Sequence, residues 1–107
     1  MAEQVVGKAT DFKDGLVRTF DVGGESVAVV RHEGRFYAFA GRCSHSGYSF
    51  DWTRVRPGDM IVCSSHFSFF ELATGKALDG PATEDLAVYE VRMEGEDVIV
   101  STGKDGG

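Results

Sequence analysis

Apolar and polar residues alternate along this chain in short bursts, at the spacing of strands rather than helices. Leu16 to Val22 alternates, and Gly23-Gly24 then supplies two residues that tolerate positive φ, as a tight hairpin requires, before Glu25 to Arg31. In that next run Val27, Val29 and Arg31 point one way and Ala28, Val30 and His32 the other. So many β-branched residues predict a strand covered on both faces near its middle. Glu33-Gly34 reverses the chain into Arg35 to Ala40, which ends just before Cys43. The turn Pro57-Gly58-Asp59 precedes Met60-Ile61-Val62, a short apolar strand that runs directly into Cys63.

Phe67 to Leu72 returns as a strand, Thr74-Gly75 turns, and Gly80-Pro81-Ala82 forms a rigid loop. Ala87 to Met93 alternates with one face buried and one wet, and Glu94 to Asp97 closes a hairpin onto Val98-Ile99-Val100. A first edge strand is expected within Val5 to Asp11, with Val5, Val6 and Phe12 as core contacts. Nothing reads as a helix of normal length, and there is no repeat array. The expected fold is all-β, an antiparallel sandwich or barrel. We expect one domain over residues 1–101 and a flexible, polar, glycine-rich tail over 102–107.

Composition narrows the function. A chain of 107 residues, 42% hydrophobic, can build one core and no second domain. Its formal net charge of −6 lacks the basic stripe that a nucleic-acid backbone requires and suits a basic protein partner. No run approaches the roughly 18 apolar residues of a membrane span. The start, Met1-Ala2-Glu3-Gln4, lacks the charged and then apolar opening of an export signal. The expected location is the cytoplasm, with no membrane or nucleic-acid partner and a monomeric free state.

The candidate chemistry lies in two short segments. Cys43-Ser44-His45-Ser46-Gly47 presents C-x-H, and Cys63-Ser64-Ser65-His66 presents C-x-x-H. Both cysteines and two of the three histidines of the chain lie here. His32 stands apart and reads as solvated. Two thiolates and two imidazoles satisfy either one tetrahedral zinc or the two irons of a [2Fe-2S] cluster. The chain has a plausible core without a metal, and its ligand loops carry glycine and serine, as suits backbone N–H groups aimed at inorganic sulfide. Of the neighbouring aromatics, Trp52, Phe69 and Phe70 are expected to pack beneath the loops. Tyr48 and Phe67 divide between that role and an exposed apolar rim for docking. Asp79, Glu84 and Asp85 read as solvated surface or as a patch that steers a basic partner.

Taken together, these motifs resemble the Rieske iron-sulfur family. The likeness extends to Phe70-Glu71, Thr74-Gly75 and Gly80-Pro81, which match that family's aromatic-acidic pair, T-G turn and third, proline-bearing loop. The resemblance implies a cluster-binding part at about 41–82, made of two ligand loops and the proline loop, that holds one [2Fe-2S] cluster per chain. Cys43 and Cys63 would ligate the inner iron and His45 and His66 the outer iron. Ser46, Gly47, Ser65, Phe67, Ser68 and Pro81 would surround the cluster.

High-potential members of the family carry a second cysteine pair and a membrane anchor, and this sequence shows neither. It looks instead like the soluble Rieske-type ferredoxins of oxygenase systems, although Phe67 stands where those relatives usually have glycine. Ser68 matches a serine that donates to the cluster, whereas Phe70 replaces a donating tyrosine. That combination implies a potential in the lower part of the roughly −150 to +300 mV Rieske range. The implied role is one-electron transfer from a flavin reductase to a terminal oxygenase, as a carrier and not itself an enzyme, since no nucleophile and base are paired. One alternative is a small Rieske subunit of a larger reductase, such as an assimilatory nitrite reductase. A third reading is a zinc-stabilised interaction module.

Overall fold

The computed structural model describes residues 3–43, 47–63, 67–79 and 84–102. Among them nine strands are present: β1 Glu3–Lys8, β2 Arg18–Val22, β3 Glu25–His32, β4 Arg35–Ala40, β5 Met60–Cys63, β6 Ser68–Glu71, β7 Ala77–Asp79, β8 Val88–Glu94 and β9 Asp97–Ser101. The fold is all-β and its strand pairings are antiparallel. Six strands form one sheet in the order β1-β9-β8-β4-β3-β2, whose outer strands β1 and β2 approach one another so that the sheet curls nearly into a barrel. The other three form a small sheet in the order β5-β6-β7.

Local chemistry accounts for most of these elements. Gly23 and Gly24 adopt φ of 60° and 86°, which places Val22 opposite Glu25 and sets the register of β2 on β3. Glu33 and Gly34 repeat the left-handed pair, at 53° and 79°, between β3 and β4. The expected coverage of β3 on both sides is present. Val27 and Val29 belong to a core inside the curled sheet with Phe12, Val22, Ala38, Val98 and Val100. Ala28 and Val30 belong to a second core, between the two sheets, with Val17, Phe39, Phe50, Ile61, Phe70 and both cysteines. Its aromatic rings meet edge to face, Phe39 on Phe50 at 5.8 Å and Phe50 on Phe70 at 6.1 Å between centroids.

Several expectations need correction. Val5, taken as a core contact, is exposed beside a register shift of β1 between Val5 and Gly7, whereas Val6 and Phe12 meet the core as expected. A 3-10 turn, Ala9–Asp11, follows β1, and its Asp11 Oδ2 accepts the Lys8 N–H at 2.9 Å. Strand β8 is buried only at Tyr89 and Val91, and even these only in part; Ala87 and Met93 are exposed. Ser101 closes β9 and Thr102 is buried, while residues 103–107 lie outside the described residues. His32 is not solvated: its Nε2 meets Asp59 Oδ1 at 2.9 Å. That contact ties the β3–β4 turn to the turn that launches β5.

Candidate metal centre

Cys43 and Cys63 both lie at the ends of strand segments and head turns of the same kind. After β4, Gly41 donates to Ser26 O at 2.9 Å and Phe50 donates back to Gly41 O at 2.9 Å. The chain between them closes as a narrow loop, with Cys43 N–H donating to Tyr48 O at 2.8 Å. Within it the N–H of Gly47 donates to Cys43 O at 2.8 Å, and Gly47 takes φ of 74°. Cys63 is the last residue of β5 and pairs with Ser68 of β6. There the N–H of Phe67 donates to Cys63 O at 2.7 Å, and Phe67 takes φ of 58°. In each turn the fourth residue after the cysteine bonds back to it in the left-handed region. Glycine does this freely, whereas a residue with a Cβ loses about 1–2 kcal/mol.

The two sulfurs share one environment. Cys43 is 3% exposed and Cys63 0%, neither is in a disulfide, and both belong to the core between the sheets. A buried thiol by itself is a small hydrophobe. Two of them, each opening a turn that wraps back on its own carbonyl, form a donor pair that suits thiophilic iron or zinc. The donor set therefore fits an iron-sulfur group. His45, Ser46, Ser65, His66 and Pro81 lie outside the described residues. Gly47, Phe67 and Ser68 are described: the first two are exposed and close the turns, and Ser68 is buried opposite Cys63. The chain flanking the proline loop is anchored, because Leu86 N–H donates to Gly75 O at 2.7 Å and Ala77 N–H to Asp85 Oδ1 at 2.9 Å. Asp85 thus has a structural task beyond solvation.

The aromatics sort differently from expectation. Phe70 is fully buried and Phe69 partly so, as expected. Tyr48 and Phe67 are 52% and 67% exposed, which places them on the surface rather than beneath the loops. Trp52, expected underneath, is 63% exposed. Its φ of 71° swings the ring outward, where the Arg18 guanidinium stacks on it at 4.0 Å from the ring centroid. The exposed positions Arg54 and Arg56, which the sequence reading passed over, line a groove with Tyr48, Trp52, Phe67 and Phe69. The spacing Trp52-x-Arg54-x-Arg56 was the available signal, since period two sets three side chains on one face of an extended segment.

The Rieske [2Fe-2S] domain family matches the chain over residues 2–90. The biphenyl dioxygenase ferredoxin subunit of a Pseudomonas species is 37% identical over 76 residues, covering 71% of this chain and 70% of that protein. Among solved structures, the ferredoxin of carbazole 1,9a-dioxygenase from Nocardioides aromaticivorans superposes with a TM-score of 0.87 at 27% identity, covering 94% of this chain and 98% of the other. A structure described as a complex of reduced oxygenase and oxidized ferredoxin in carbazole 1,9a-dioxygenase gives a TM-score of 0.86 at 32% identity, covering 96% and 95%.

Proposed function

The chain belongs to the Rieske [2Fe-2S] domain family, and from that premise we propose that it is a ferredoxin that carries single electrons to a terminal oxygenase. The observation that carries this reading is the pair of turns closed by the same backbone bond, each opened by a buried cysteine. Its relatives are ferredoxin components of oxygenase systems, so the role is electron transfer rather than substrate turnover. Cys43 and Cys63 hold the buried iron, and His45 and His66 hold the other. Bound there, a [2Fe-2S] cluster supplies a one-electron couple whose potential two neutral imidazoles raise above that of an all-cysteine cluster.

The described residues set the conditions for that couple. Phe50 and Phe70 pack in the same core as both sulfurs and keep water from that side. Ser68, buried opposite Cys63, donates its hydroxyl toward the cluster and lifts the potential within the lower part of the family's range. Electrons arrive from a flavin reductase, and the carrier works as a cytoplasmic monomer. No helix among the described residues is long and apolar enough to cross a membrane. In this reading residues 1–101 form one domain, and β9, the last described strand, ends at Ser101.

Absorption and electron paramagnetic resonance spectra, with metal analysis, test the reading. The expected protein is coloured, contains iron and sulfide in equal amounts, and becomes paramagnetic when dithionite reduces it. A colourless protein with one zinc per chain would overturn it, and obligatory co-purification with a large reductase subunit would overturn the free-carrier role.

A further inference from the structure

A groove begins at Phe67, the residue after the proposed ligand His66, and the charges it exposes are opposite in sign to the net charge of the chain. Residues 52–56 run antiparallel to 15–17: Trp52 N–H donates to Val17 O at 2.8 Å, Val17 N–H to Thr53 O at 2.7 Å and Val55 N–H to Gly15 O at 2.8 Å. That pairing keeps Thr53 and Val55 partly buried and leaves Trp52, Arg54 and Arg56 exposed. Asp51 also lines the groove, but its Oδ1 already accepts Thr19 N–H at 2.9 Å and Arg18 Nε at 3.2 Å. Arg54 and Arg56 form no ion pair among the described residues. In a chain of net charge −6, this face carries two uncompensated guanidiniums.

Its aromatics are exposed at a cost. Trp52 and Phe67 both sit in the left-handed region, at φ of 71° and 58°, and both are more than half exposed. Bulky residues there strain the backbone and bury little in return. Such strain persists where the side chain serves something outside the fold. Burying either ring against a partner removes a large apolar surface from water.

We propose that this groove docks an acidic patch with an apolar centre on the redox partner, its carboxylates meeting Arg54 and Arg56 and its apolar side chains packing on Trp52, Tyr48 and Phe67. The proposal rests on the electron-carrier reading and names the polarity of the partner for it. That polarity is opposite to what the net charge of the chain suggests. An acidic partner is disfavoured by the net charge of the chain and attracted by the paired guanidiniums here, so charge favours the orientation that brings it to the end of the second ligand turn.

Stopped-flow oxidation of the dithionite-reduced protein tests the polarity without the natural partner. The probes are ferricyanide, an anion, and hexaammineruthenium(III), a cation. Near 0.1 M ionic strength the screening length is about 10 Å, so the charge beside the exit point governs the rate. Ferricyanide oxidation should slow as salt is added, and R54E/R56E should lower its low-salt rate about tenfold while raising that of the ruthenium complex. Faster ferricyanide oxidation with added salt in the unmodified protein would overturn the proposal, whatever the variants do. Failure of the carrier reading is distinct, because no reducible cluster spectrum would exist before any oxidant is mixed. Trp52 is the sole tryptophan, so its fluorescence reports on occupancy directly. A glutamate–leucine copolymer should shift its emission and polylysine should not; the reverse result overturns the proposal. So does a salt-sensitive dimer in sedimentation that R54E/R56E abolishes, since the occupant would then be a second copy.

Discussion

The turns after Cys43 and Cys63 are closed by the same bond and by different residues at the position that makes it. Each closes with an N–H donating to the cysteine carbonyl, at 2.8 and 2.7 Å, from a residue in the left-handed region. In the first turn that residue is Gly47, which adopts the conformation freely; in the second it is Phe67, which does not. Holding a cysteine sulfur in the core therefore dictates the turn, and the turn does not dictate its last residue. What Phe67 adds is a ring that is 67% exposed and points away from the core. The first turn is optimised for the fold, whereas the second gives up stability for its outer surface.

The strongest way to break this comparison is to remove the sulfurs. C43S and C63S should each abolish the visible absorption and reduce bound iron to near zero, because a cluster held by one thiolate would have lost half of the protein ligands of that iron. Retention of colour in only one of the two would show that the turns are unequal holders. Exchanging the closing residues has a smaller effect. G47F should lower stability by about 1–2 kcal/mol, a fall of several degrees in melting temperature, through backbone strain alone. Among the described residues, chain neighbours apart, no atom lies within 4 Å of the Cβ that such a side chain would introduce at Gly47. F67G should change stability by less than about 1 kcal/mol, since relief of strain is offset by the greater freedom of the unfolded chain. Equal losses in thermal denaturation would end the claim that the second turn is strained.

S68A sharpens the comparison from the strand beside the second turn. Voltammetry should show a lower potential with the cluster retained, and an unchanged potential would remove the proposed hydroxyl donation. The smallest effect is a control far from either turn. Tyr89 donates to Glu25 Oε1 at 2.8 Å, and burial, reinforced by that carboxylate, pushes its pKa up to about 12. In the unfolded chain the phenol ionises near pH 10. The stability it contributes is therefore complete below about pH 10 and lost as pH rises toward 12. Y89F should flatten that window in denaturant titrations while the cluster absorbance stays as in the unmodified protein.

The strands and hairpins were legible because their determinants are local. Gly23-Gly24 and Glu33-Gly34 punctuate alternating runs, and Val27 to Val30 announce burial on both faces through β-branching alone. The cysteines were legible from spacing, since C-x-H and C-x-x-H have few other uses. What stayed hidden depends on distant partners. The β7 strand has three residues, too few to show a period, and exists through pairing with β6. Val5 is exposed beside a register shift in its pairing with β9. Trp52 was misread because hydrophobicity favours burial, while its exposure follows from a left-handed φ and a guanidinium stacked on its face. Neither is written in residues 51 to 53 alone.

The shared wall formed by β3 also bears on how such a protein can change over generations. Its odd positions serve one core and its even positions the other, so the middle of the strand has no face on which substitutions can accumulate neutrally. Trp52, Arg54, Arg56 and Phe67 are under no such constraint: their outward side chains support neither core. Drift and selection are thereby channelled to one exposed rim, and a lineage can exchange partners there while the scaffold that holds the sulfurs stays the same.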